Sequence, residues 1–87
     1  AYNNKELKIK NEIEANEICS KFTIDQPYDS VKSSLVFRKI DPASITESLD
    51  KKFISISFPG ISVFDRYICR LEFKNNKILA KEVFFID

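Results

Sequence analysis

The sequence predicts an α+β fold: two N-terminal helices packed on a C-terminal antiparallel β-meander of three to four strands, in two layers. Three observations lead there. The first half carries apolar residues at helical spacing and the second half alternates with period two. The only two cysteines, Cys19 and Cys69, fall one in each half. The chain has 87 residues, enough for a single domain spanning 1–87.

Residues 1–10 are polar and charged, and fraying is expected at least through Asn4. Ala15, Ile18, Cys19 and Phe22 then stand at i, i+3, i+4 and i+7, one apolar stripe of a first helix over roughly 5–21. Ile9 and Ile13 lie off that stripe, so the start of the helix is poorly amphipathic. Thr23 to Gln26 is a connector. Pro27 suits the first turn of a second helix, where its missing N–H costs nothing, and Asp29 faces the positive end of the dipole. Tyr28, Val31 and Leu35 point inward, and Arg38 and Lys39 suit the negative end, giving a helix over 27–38. Asp41-Pro42 restarts the chain, and 41–50 reads equally as a short capped helical turn or as an edge strand carrying Ile45.

From Phe53 the pattern changes. Ile54, Ile56 and Phe58 alternate with Ser55 and Ser57, and Pro59-Gly60 signals a turn, with an extension through Ile61-Ser62-Val63. Arg66 to Lys74 alternates most cleanly, with Tyr67, Cys69, Leu71 and Phe73 on one face. Asn75-Asn76 suits a two-residue hairpin loop because Asn tolerates positive φ, and Lys77 to Ile86 is the last strand. In that register Phe73 faces Ile78, Leu71 faces Ala80 and Cys69 faces Glu82. A carboxylate facing the core is costly. Three accounts of Glu82 follow: a bulge near Lys81 that turns Val83 and Phe85 inward, a wetter end of the sheet, or a functional role.

A Cys19–Cys69 bond would staple the first helix to the sheet and close a loop of about 50 residues, worth roughly 4 kcal/mol in the chain-entropy model. Two unpaired buried thiols are the competing arrangement. A bond implies an oxidising compartment. The chain contains no methionine, so Ala1 is not a translational start; removal of a leader or trimming both account for it. Ala1 suits the small-residue preference after signal cleavage, and a periplasmic or secreted location is the expectation.

The net charge of +1 recommends neither nucleic acid nor a membrane surface as partner. No apolar run approaches the ~18 residues of a membrane span. With no histidine, the commonest general base and metal ligand is missing, and neither cysteine has an activating partner. Two distant cysteines do not make a zinc site, and a single glycine cannot make a Gly-rich phosphate loop. The sequence therefore points to no catalytic residue, metal or cofactor, and to a non-enzyme. Of the eight Phe and three Tyr, most must form the core. Phe64, Phe84 and Phe85 are the harder ones to bury, since Phe84 and Phe85 point to opposite faces of one strand. Together with Glu82 they are the candidate partner-binding residues.

Phe22-Thr23-Ile24-Asp25-Gln26-Pro27-Tyr28-Asp29-Ser30-Val31, followed by Leu35 and then by Cys69-Arg70-Leu71-Glu72-Phe73-Lys74-Asn75-Asn76-Lys77-Ile78, resembles the BamE/SmpA/OmlA family and the wider class of folds like β-lactamase-inhibitor protein. The likeness covers about 22–86. Asp25-Gln26-Pro27 stands where the family has a Gly-Met-Thr-like turn, and the Leu-Gly-x-Pro that follows helix two there is missing. The resemblance implies a small exported domain of the cell envelope that works by binding another protein; no family site residue carries over. An inhibitor or immunity protein that blocks a secreted enzyme or toxin is the alternative expectation.

Overall fold

The computed structural model describes residues 4–59 and 65–86 of the chain. Helix α1 spans Asn4–Ser20 and α2 Tyr28–Phe37; a 3-10 turn, Pro42–Ser44, leads into β1 (Ile45–Glu47), β2 (Phe53–Pro59), β3 (Arg66–Lys74) and β4 (Lys77–Ile86). The strands form one antiparallel sheet in the order β1-β2-β3-β4, so the fold is α+β.

This corrects the expected architecture on several points. The meander has four strands, and 41–50 supplies both a turn and a strand. Asp41 accepts a hydrogen bond from the Ala43 N–H at 3.0 Å and caps the 3-10 turn, and Ile45 then pairs with Ile56. The helical layer is unequal: α1 lies across β2, β3 and β4, whereas α2 enters the core through Tyr28, Val31 and Leu35 alone. Pro27 is not the first helical residue. Its backbone is extended, with φ −64° and ψ 147°, and it bridges Lys77 at the margin of the sheet. The helix α1 starts at Asn4, where fraying was expected, and ends at Ser20, each one residue before the predicted bound. The predicted turn at Gly60 and the extension through Ile61–Val63 lie outside the described residues.

Both helices cover the same face of the sheet. Ile54, Ile56 and Phe58 of β2 and Tyr67, Cys69, Leu71 and Phe73 of β3 bury there against Ala15, Cys19, Phe22, Val31 and Leu35. Removing one such large side chain from water contributes about 1.5–3 kcal/mol. Among the described side chains the inward stripe of α1 is thin, consisting of Asn11, Ala15 and Cys19, with Phe22 just beyond; Ile9 and Ile13 are about half exposed. What anchors this helix is covalent. The Cys19 and Cys69 sulfurs sit at bonding distance, 2.16 Å, with their Cα atoms 5.6 Å apart, joining the last turn of α1 to the middle of β3.

Two turns adopt left-handed backbone without glycine. Asn75 (φ 54°) and Asn76 (φ 62°) close the β3–β4 hairpin, where both central residues need positive φ. Lys39 (φ 57°) ends α2 in a Schellman motif: its N–H reaches the Val36 carbonyl at 3.0 Å and the Ile40 N–H reaches that of Leu35 at 3.1 Å.

A bulge sets the register of β4. Phe73 pairs with Ile78, yet Glu72 pairs with Ala80, so Leu79 is the extra residue. The bulge lies two residues before the expected position near Lys81. From there on, Leu71 faces Lys81, Cys69 faces Val83 and Tyr67 faces Phe85.

Candidate partner surface

The bulge decides where the candidate residues point. Glu82 pairs with Arg70 and is exposed on the sheet face away from the helices. Neither a core misfit nor a wet sheet end accounts for it. Phe84 shares that outer face, half-buried opposite Ile68. Phe85 turns inward instead, its ring 4.9 Å from that of Tyr67, so it belongs to the core layer. Phe64 lies outside the described residues. The structure thus brings Glu82 and Phe84 together and separates Phe85 from them.

Lys81 falls on the helix side of the sheet but at its open edge, where the side chain is exposed. Its ammonium reaches over the sheet margin and donates to the carbonyls of Cys19, at 3.2 Å, and Phe22, at 2.6 Å. The Cys19 carbonyl belongs to the last turn of α1, the negative pole of the helix, and that of Phe22 lies just beyond it.

The outer face reads as rows across the strands. Ile86, Arg66 and Pro59 form one; Phe84, Ile68 and Ser57 the next; then Glu82, Arg70, Ser55 and Thr46; finally Ala80, Glu72 and Phe53. No helix covers this face among the described residues. Its concavity, about 330 Å³, is lined by apolar Phe53, Ile68, Phe84 and Ile86, with Arg66 and Arg70 beside them. The Arg70 guanidinium lies 4.1 Å from the centre of the Phe53 ring, a cation–π contact. The even-numbered alternation of β3 already placed Ile68, Arg70 and Glu72 on one face, but the partners from β4 depended on the bulge.

A second groove, about 350 Å³, runs between α2 and β1 and is lined by Leu35, Val36, Ile40, Pro42 and Ile45. Beside it Val36 is 77% and Phe37 86% exposed. Residues 36 and 37 read from the sequence as the end of a helix, and nothing local marks them as outward-facing. At the other end Glu47 accepts hydrogen bonds from the Tyr28 hydroxyl and from Lys32. Burial first, and then the Glu47 carboxylate, push the Tyr28 hydroxyl up to about 12. The hydrogen bond from Lys32 leads in holding Glu47 below the usual carboxylate range, with that from Tyr28 second. Near neutral pH both groups keep one protonation state, which suits a structural brace rather than proton transfer. Burial also raises Tyr67, with Glu12 adding to the effect.

Among the described residues no three His, Cys, Asp or Glu side chains gather as metal ligands. Among them, too, no helix is long and apolar enough to cross a membrane. No family model matches the chain, and neither a curated protein nor a solved structure matches it.

Proposed function

We propose that this chain is a small non-catalytic protein-binding domain of an oxidising compartment, the cell envelope or periplasm, and that it binds through the outer face of its sheet. The observation that carries this reading is that face itself: half-buried Phe53 and Phe84 and partly exposed Ile86 are interleaved with the charged Arg66, Arg70, Glu72 and Glu82. The buried disulfide supports the compartment, since such bonds persist where thiols are not kept reduced. The likeness of 22–86 to the BamE/SmpA/OmlA family supports the envelope within that range.

The inhibitor reading is favoured by one different observation. Phe37 projects almost wholly into solvent at the end of α2, next to the apolar groove, as a side chain that plugs a cleft would. A photo-crosslinking residue placed at position 84 or at position 37, in the protein expressed in its native compartment, separates the two. Crosslinks from 84 that excess wild-type protein competes away, and Phe84→Arg does not, support the sheet-face reading. Crosslinks only from 37, to a single enzyme, replace it with the inhibitor reading. Crosslinks from neither position overturn both.

A further inference from the structure

We propose that the hollow on this sheet face takes an acidic segment of a partner protein, laid extended along β3 with two carboxylates four residues apart and an apolar side chain midway. The inference rests on the reading of this face as a protein-binding surface and names the chemistry of what it binds.

Charge argues for an acidic partner. The outer face carries the cations Arg66, Arg70, Lys74 and Lys77 against the carboxylates Glu72 and Glu82, an excess of cations. Within the hollow of about 330 Å³ the excess is complete among the described residues: Arg66 and Arg70 line it, the hydroxyls of Thr46, Ser55 and Ser57 add donors, and no carboxylate does. Glu72 and Glu82 line the neighbouring hollow instead, on the other side of Arg70 and beside Lys81. Among the described residues neither Arg66 nor Arg70 has a carboxylate within ion-pair distance. The Arg70 guanidinium lies by Phe53 of β2, on the side away from Glu82 of β4. Guanidiniums that no carboxylate of the fold neutralises are the donors that take up a partner's carboxylates, and a basic segment meets them as like charges.

Spacing sets the register. Arg66 and Arg70 stand four residues apart on the same face of β3, about 13 Å at ~3.3 Å per residue. A single carboxylate covers only a fraction of that distance, so a small anion engages one arginine at a time. A segment extended along β3 advances by the same step, and its alternate side chains share a face. Acids at its first and fifth positions therefore meet both arginines. Its third side chain falls on the row between them, where Phe84 is half-buried and Ser57 lies beside it across Ile68.

The test titrates the isotope-labelled protein, followed by its amide resonances, with a short capped peptide carrying two glutamates four residues apart, leucine midway and serine elsewhere. Exposed ion pairs are individually weak, so the expected dissociation constant is about 1 mM, and the titration runs to about 5 mM. The shifts should gather on Ser55, Ser57, residues 66–70 and Phe84, and fade in high salt. Glutamates placed two apart at equal charge should bind at least about threefold more weakly, and Arg66→Glu/Arg70→Glu with an unchanged melting curve at least about tenfold more weakly. Arg66→Glu alone, at an exposed position, should cost at least about threefold and serves if the double variant does not fold. Absent shifts, equal binding of the two spacings or binding that ignores the reversals overturns the inference. A single-stranded oligonucleotide that shifts the same amides more strongly than the peptide overturns it in favour of nucleic acid. Crosslinks from position 84 to another protein without any peptide shift remove the acidic segment alone and leave the binding reading standing.

Discussion

Removing the Cys19–Cys69 bond tests the account of how α1 is held. The bond closes a separation of 50 residues, for which the chain-entropy model gives about 4 kcal/mol. A domain of this size has only about 4–13 kcal/mol in total, so roughly a third or more of its stability is at stake. At ~4–8 °C per kcal/mol, the melting temperature falls by about 16–32 °C. Cys69 is fully buried, so Cys19→Ala/Cys69→Ala avoids the buried hydroxyl that serine would introduce. Wild-type protein refolded in reductant removes the cross-link without any cavity, and it should melt close to the double variant. The loss is not uniform. Among its described side chains α1 buries only Asn11, Ala15 and Cys19, and a helix in a protein takes most of its stability from such packing. The amides of α1 should therefore lose hydrogen-exchange protection before those of β2 and β3. The assay is thermal circular dichroism with and without reductant, with intact mass and alkylation confirming the redox state. A fall below about 3 °C with both thiols shown reduced refutes the staple as a stabiliser, as does free alkylation of both thiols before any reductant is added.

Lys39→Gly relieves a left-handed residue at the end of α2 and should add about 0.5–1 kcal/mol, read as a rise of ~4 °C in melting temperature; a fall would mean that the Lys39 side chain packs. Glu82→Leu should change stability by less than about 0.5 kcal/mol, because the residue faces solvent opposite Arg70; clear stabilisation would place it in the core. Tyr28, raised from 10.0 in the unfolded chain to about 12 in the fold, contributes stability that is complete below pH 10.0 and is lost as pH rises toward about 12. Tyr28→Phe should flatten that alkaline limb, and ultraviolet titration of tyrosinate in wild type should show one group ionising near 12; a melting profile unchanged by the substitution above pH 10.0 would remove the Tyr28–Glu47 bond from the account.

Much of the fold was written in local pattern. The stripe of Ala15, Cys19 and Phe22, the inward Tyr28, Val31 and Leu35, and the alternation of Phe53–Phe58 and Arg66–Lys74 each follow from one element's period and need no neighbour. Asn75-Asn76 marked its own turn because few residues accept positive φ there. The segment around 41–50 was ambiguous because its backbone satisfies a capped turn and an edge strand in succession.

The outer face was not legible, and Glu82 shows why. Side chains alternate with period two, so a single extra residue reverses every later one. Leu79 carries no local mark of a bulge. It becomes one because Ile78 must bury beside Phe73 and bond the connector at Gln26, while Val83 and Phe85 must bury beside Cys69 and Tyr67. Only an inserted residue meets both demands. Lys81 then falls on the helix side of this edge strand, where it stays exposed and its ammonium donates to the carbonyls of Cys19 and Phe22. Sequence by itself determined the elements, the hairpin and the two cysteines that could be joined, since each is set by contacts near in the chain. The tertiary structure decided the register of β4, the pairing of Glu82 with Arg70 and the placing of Phe84 and Ile86 on the outer face, because these depend on where α1 and the connector press against the sheet.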